Sequence, residues 1–219
     1  MSFVFQIGAG ASQDRLEKLI ALRLQVGVDK DEIDTRIWDL FGETWSIMFT
    51  DLSGFSRRSA KFGIIHFLQI IYESQRLLVP VIDKFDGILL KMDGDSMMVL
   101  FRKPVKAVEC AIDMQHTLKN YNTARPDEEK ILLCIGIGHG TMLLIGNDVF
   151  GAQVNASAKL GEDTAKAYEI LVTDAVKDAI SEQSGISYET LDVVPPGAHS
   201  AYRVLWGESR KIYTAECEN

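Results

Sequence analysis

A chain of 219 residues with 47% hydrophobic positions is long enough to bury one well-formed core. A formal net charge of −8 argues against a broad nucleic-acid or anionic-membrane surface. Cys110, Cys134 and Cys217 are odd in number and far apart, which excludes a disulfide framework and a zinc knuckle.

The first 44 residues are read as a helical extension. Leu16, Leu19, Ile20, Leu22 and Leu24 predict one amphipathic helix, and Asp31, Ile33, Ile37, Trp38 and Leu40 a second, with Gly27 between them and Gly42 closing the second. The start has neither the basic flank nor the apolar stretch of a signal peptide, and no apolar run approaches the roughly 20 residues that span a bilayer. The expectation is a soluble, cytoplasmic protein.

From Trp45 the pattern changes. Trp45 to Leu52 predicts a buried strand. Ser56 to Phe85 predicts a long helix with Ile64, Phe67, Leu68, Ile71, Leu78 and Ile82 facing inward. Gly87–Lys91 and Ser96–Phe101 read as two strands of a hairpin turning at Asp93-Gly94. Pro104 starts a helix that Val105, Val108, Ala111, Ile112 and Leu118 continue, followed by a polar loop from Asn122 to Glu129. Ile131–Gly138 and Thr141–Ile145 read as separate strands, with Gly136-Ile137-Gly138-His139-Gly140 the turn between them. Ala152–Ala165 predicts a helix, Glu169–Thr173 a strand, and Asp174 the N-cap of a short helix. Tyr188–Val194 and Ala201–Leu205 read as closing strands around Pro195-Pro196-Gly197. The central order β-α-β-β-α-β is that of α+β, ferredoxin-like folds. The expected organisation is a helical extension over 1–44, a main domain over 45–206 and a disordered tail over 207–219.

Three clusters carry chemistry. Asp51 closes the run Phe49-Thr50-Asp51-Leu52-Ser53-Gly54-Phe55-Ser56, and Asp95 lies in Lys91-Met92-Asp93-Gly94-Asp95. Each aspartate alone has an ordinary role as a cap or turn residue. Two carboxylates at the same end of adjacent strands suit a hard divalent cation, with the Leu52 carbonyl as a further oxygen. Asn155 and Lys159, in the block from Asn147 to Lys159, stand four apart and share one helix face. His66, His116 and His199 stand apart from one another and are assigned no chemistry.

In this order, the three blocks resemble the catalytic domain of class III nucleotidyl cyclases, the adenylate and guanylate cyclase family. The resemblance runs from about Trp45 to Thr173 and more weakly to Leu205. It implies that Asp51, Asp95 and the Leu52 carbonyl bind two Mg²⁺ or Mn²⁺ ions. It implies that Lys91 and Asp148 read the purine edge, that Asn155 orients the ribose, and that Lys159 places charge near the reacting phosphate. A lysine donor with a carboxylate acceptor suits adenine, so ATP is the expected substrate and cyclic AMP the product. The family's head-to-tail dimer further implies a homodimer with sites at the interface, the metal residues from one subunit and the nucleotide residues from the other. The extension over 1–44 is a candidate contact for a regulatory partner.

The sequence departs from the family in two places. Lys159 stands where the family usually carries arginine, which keeps the charge but loses the planar fork. No Lys or Arg occurs between Gly185 and Tyr202, where the family places a phosphate-binding lysine. Two alternatives stay open: a cyclase for GTP or a pyrimidine nucleotide, and a degenerate nucleotide-binding module with a regulatory, dimerising role.

Overall fold

A computed structural model describes residues 2–54, 61–180 and 185–207, with side chains from residue 13 onward. Of the expected tail over 207–219 all but Gly207, and of the expected helix Ser56–Phe85 the positions 56–60, lie outside these residues; the helix observed begins at Ile64, after Gly63 at φ +85°.

Helices α1 (Ser2–Arg23) and α2 (Lys30–Phe41) come first. Asp29 caps α2, its carboxylate accepting from the backbone N–H groups of Asp31 and Glu32, and two acids in the first turn complement the helix dipole. Ile33, Ile37 and Phe41 are the buried positions of α2, packed with Leu19 of α1. Trp38, Leu40 and Leu24, expected on the inner faces, are exposed. Gly42 is both the C-cap of α2 and the first residue of strand β1 (Gly42–Leu52). No residue separates the two elements.

The core that follows is β1, α3 (Ile64–Lys84), β2 (Ile88–Asp93), β3 (Ser96–Phe101), α4 (Pro104–Asn122) and β4 (Leu133–Ile145). The sheet order β2-β3-β1-β4 is antiparallel throughout, which is the expected ferredoxin-like arrangement. The sheet continues through β6 (Ile170–Thr173), β8 (Ala201–Leu205) and β7 (Ser187–Thr190), and the short β5 (Asp148–Phe150) pairs with the end of β4. Helix α5 (Ala152–Ala158), a single π turn (Lys159–Thr164) and α6 (Asp174–Asp178) complete the chain.

β1 is buried on both faces. Met48 and Leu52 face the larger core beneath α3 and α4, while Ile47 and Phe49 face a second cluster with Met142 and Val154. With a side-chain period of two, Asp51 falls on the Ile47–Phe49 face, on the side of α5.

Several expectations need correction. Ile64 and Leu68 are 62% and 52% exposed; the buried stripe of α3 is Ile70, Ser74, Leu78, Val81 and Ile82. One unbroken strand, β4, replaces two strands and a turn. The glycines expected to make that turn lie inside the strand and serve close packing instead. A Cβ on Gly136 would sit 2.1 Å from the Ser157 carbonyl oxygen, and one on Gly138 would sit 2.5 Å from that of Gln153. The expected strand to Val194 ends at Thr190, ahead of the proline pair. Asp174 is the first residue of α6, with Thr173 at the cap position; the Asp174 carboxylate accepts from the His199 N–H.

Candidate active site

Thr50 is fully buried, and its hydroxyl accepts a hydrogen bond from the Met97 N–H at 3.2 Å. That bond ties the end of β1 to the start of β3. Asp51 follows Thr50, and Asp95 precedes Met97 by two residues in the β2–β3 turn. Asp93 pairs with Ser96, so the turn residues are Gly94 and Asp95 rather than Asp93 and Gly94. Gly94, at φ +58°, takes the first turn position, where a side chain would be strained.

The two carboxyls meet. Burial pushes Asp51 up to about 6, and the negative charge of Asp95 pushes the same way. Asp95 is also raised, chiefly by burial. The Leu52 backbone N–H acts against the rise at both, favouring the ionised carboxylates. The Leu52 peptide is therefore at the pair. Like charges forced together in a half-buried place are what a divalent cation relieves, and the donors are the hard oxygens that Mg²⁺ and Mn²⁺ prefer. Among the described residues no group of three or more His, Cys, Asp and Glu side chains is placed to hold a metal ion. An ion here would complete its shell from backbone and phosphate oxygens.

Lys91 and Asp148 form a second cluster, with Nζ 4.0 Å from Oδ2. A β-bulge between Leu89 and Lys91 shifts the register, so that Lys91 pairs with Met98. Such bulges re-aim a side chain. Lys91 also lines a cavity of about 200 Å³ with Asp93, Ser96 and Glu162, walled by Phe49 and Met97.

Asn155 and Lys159 are both exposed, on α5 and at the start of the π turn. The Lys159 ammonium is held by Asp163 in an i,i+4 ion pair, and that hydrogen bond raises its pKa. The structure thus brings Asp51 to Asp95 and Lys91 to Asp148, while Lys159 pairs within its own turn.

Sequence reasoning missed Glu162, whose carboxyl is raised by burial and by the charges of Asp163 and Asp95. It also missed Asp163, which the i,i+4 spacing from Lys159 announces. A π turn inside a helix is a frequent mark of a functional site, but nothing in the spacing of Lys159–Thr164 signals one.

Comparison with known proteins gives the family and agrees with the fold. Residues 41–198 match the adenylate and guanylate cyclase catalytic domain. The serine/threonine-protein kinase pkn2 of Myxococcus xanthus is 28% identical over 131 residues, which are 60% of this chain and 16% of that protein. The adenylate cyclase of Anabaena cylindrica is 27% identical over 165 residues, 67% of this chain and 33% of that protein. The chain thus spans a third or less of the length of these two relatives. The crystal structure of the guanylyl cyclase Cya2 superposes with a TM-score of 0.63 at 20% identity, covering 76% of this chain and 94% of the other. Among the described residues no helix is long and apolar enough to cross a membrane.

Proposed function

Because the chain belongs to the adenylate and guanylate cyclase catalytic domain family, we propose that it converts ATP to 3′,5′-cyclic AMP and pyrophosphate. The observation that carries the reading is the half-buried pair Asp51–Asp95, two like-charged groups held together where the sheet could have kept them apart.

The ribose 3′-oxygen attacks the α-phosphorus. The 3′-hydroxyl gives up its proton to water, a new P–O bond closes the ring, the bond between the α-phosphorus and its bridging oxygen breaks, and pyrophosphate leaves. Asp51, Asp95 and the Leu52 carbonyl would hold two Mg²⁺ or Mn²⁺ ions. When bound, such ions supply Lewis-acid charge to the 3′-hydroxyl and the triphosphate. Lys91 donates to the adenine N1 and Asp148 accepts from the exocyclic amine. Asn155 orients the ribose. Lys159 leaves Asp163 to place its charge near the reacting phosphate, where fixed cations act most strongly. The site is completed across a homodimer: the carboxylate pair of one subunit faces Lys91, Asp148, Asn155 and Lys159 of the other.

A second reading, GTP as substrate, is favoured by one observation. Asp93 and Glu162 share the Lys91 cavity, and carboxylates accept from the N1–H and amino groups that guanine presents.

The test is a product assay of the purified chain with ATP, GTP, CTP and UTP, each with Mg²⁺ and with Mn²⁺. Cyclic AMP from ATP alone supports the whole reading. Cyclic GMP keeps the metal residues and overturns the base assignment. No product from a dimeric protein overturns the cyclase reading in favour of a binding module.

A further inference from the structure

Resting on the cyclase reading above, we propose that Gln153 is the positioning residue of the site, the group that fixes the height and rotation of the helix carrying Asn155 and Lys159.

The need for such a residue follows from β4. Gly136, Gly138 and Gly140 alternate along the strand and leave one of its faces bare. Helix α5 lies directly on that face. Besides the contacts already given, a Cβ on Gly136 would sit 2.3 Å from the Gly161 N, and one on Gly140 would sit 3.1 Å from the Gln153 Cγ. Backbone resting on backbone brings the helix close, but it offers no side-chain ridges to stop sliding or rotation. Val154, Ala156 and Ser157 bury the inner side of this seven-residue helix, but none of their side chains bonds it to a neighbouring strand or loop.

Gln153 supplies the missing constraint through three bonds to three segments. Its Oε1 accepts from the Thr173 hydroxyl on β6 at 2.7 Å and from the His139 N–H on β4 at 3.3 Å. Its Nε2 donates to the Gly197 carbonyl at 2.9 Å. The first partner is fully buried. The third belongs to the Pro195–Ala198 turn, closed by the Ala198 N–H donating to the Pro195 carbonyl. Gly197, at φ +96°, presses on the start of α5; a Cβ there would lie 2.5 Å from the Ala152 carbonyl oxygen. The orientation of the amide is set by its partners, because only the oxygen can face the His139 N–H and only the NH₂ can face the Gly197 carbonyl. The stretch around this turn contains no Lys or Arg. It therefore contributes to the site through backbone contact with α5, and Gln153 is the joint.

Gln153→Glu is nearly isosteric. It keeps the acceptor for Thr173 and His139 and sets a carboxylate oxygen against the Gly197 carbonyl. The expected result is a fall in kcat of about tenfold or more with KM for the nucleotide changed less than about threefold, since misplacement of reacting groups falls on turnover. Dimer mass should be unchanged and Tm moved by only a few degrees. Thr173→Ser should keep wild-type kcat, and Thr173→Val should lose part of it. Wild-type kcat in both Gln153→Glu and Thr173→Val would overturn the proposal, as would a loss carried by KM alone. Amide exchange in the nucleotide-free protein gives a readout independent of turnover. Residues 153–160 and 195–200 should exchange faster in Gln153→Glu while β1 does not; unchanged exchange overturns the positioning role even if the wild-type chain forms no product. Faster exchange in Gln153→Glu, beside a wild type that forms no product, would keep the role of Gln153 and remove the cyclase reading alone.

Discussion

The two halves of the site are built in opposite ways. Asp51 stands on the central strand β1 and Asp95 in the β2–β3 turn, tied together through the buried Thr50 and partly out of water, with their charges opposed to one another. Lys91, Asp148, Asn155 and Lys159 stand on a hairpin strand beside a bulge, a three-residue strand, a short helix and a π turn, in the open and with their charges already paired. The first half is rigid and electrostatically unfinished. The second is electrostatically complete and structurally light. Such a division suits a reaction in which one half must hold a fixed charge array and the other must receive and release a nucleotide.

The sharpest way to break this contrast is to change each half in turn. Asp51→Asn should cut product formation about a thousandfold or more while leaving the fold intact, because an amide cannot supply the charge the ions need; nucleotide turnover against circular dichroism checks it. Asp148→Asn should cost less, about ten- to a hundredfold, and should relax the choice between ATP and GTP, as loss of one charge-assisted hydrogen bond at an exposed position would. Competition assays with the two nucleotides read this directly. Lys159→Arg should raise kcat by only a few-fold, since the charge is conserved and only the fork is gained.

The smallest effect concerns stability. Unfolded, Asp51 titrates near 3.8, and folded at about 6. Between these values the folded chain holds more protons, so its stability falls as pH rises through that window. The metal-free protein should therefore melt a few degrees lower at neutral pH relative to pH 4.5 than Asp51→Asn does over the same change. Divalent ions should recover the difference in the wild type and not in the variant. An identical pH slope in the two proteins would break the idea that the carboxylate half is held against its own repulsion.

Much of this was legible in the sequence. The apolar runs gave β1 and the β2–β3 hairpin because period and turn chemistry are local. That Asp51 would lie by Asp95 was visible because their motifs are short and the strand order makes them neighbours in space. Gly136, Gly138 and Gly140 were misread as a turn, because a glycine needed for the approach of a distant helix looks the same in sequence as one needed for a bend. The inner face of α3 was right at Leu78 and Ile82 and carried too far toward the start of the helix, because Ile64 and Leu68 fit the helical period and only tertiary packing shows that the core begins further along. Gln153 stood inside a recognised block without any signal of its own; its three partners come from segments up to 44 residues away.

The alternation along β1 has a consequence for errors in assembly. Were the strand to slip by one residue against β4, Asp51 would enter the core beneath α3 and α4 and Leu52 would take its place at the carboxylate pair. An ionised group in that core without a partner is too costly for a stable sheet. The contacts that hold the molecule together therefore also proofread the position of its most important charge. Mistakes in pairing should yield chains that fail to fold, not folded chains with a faulty site.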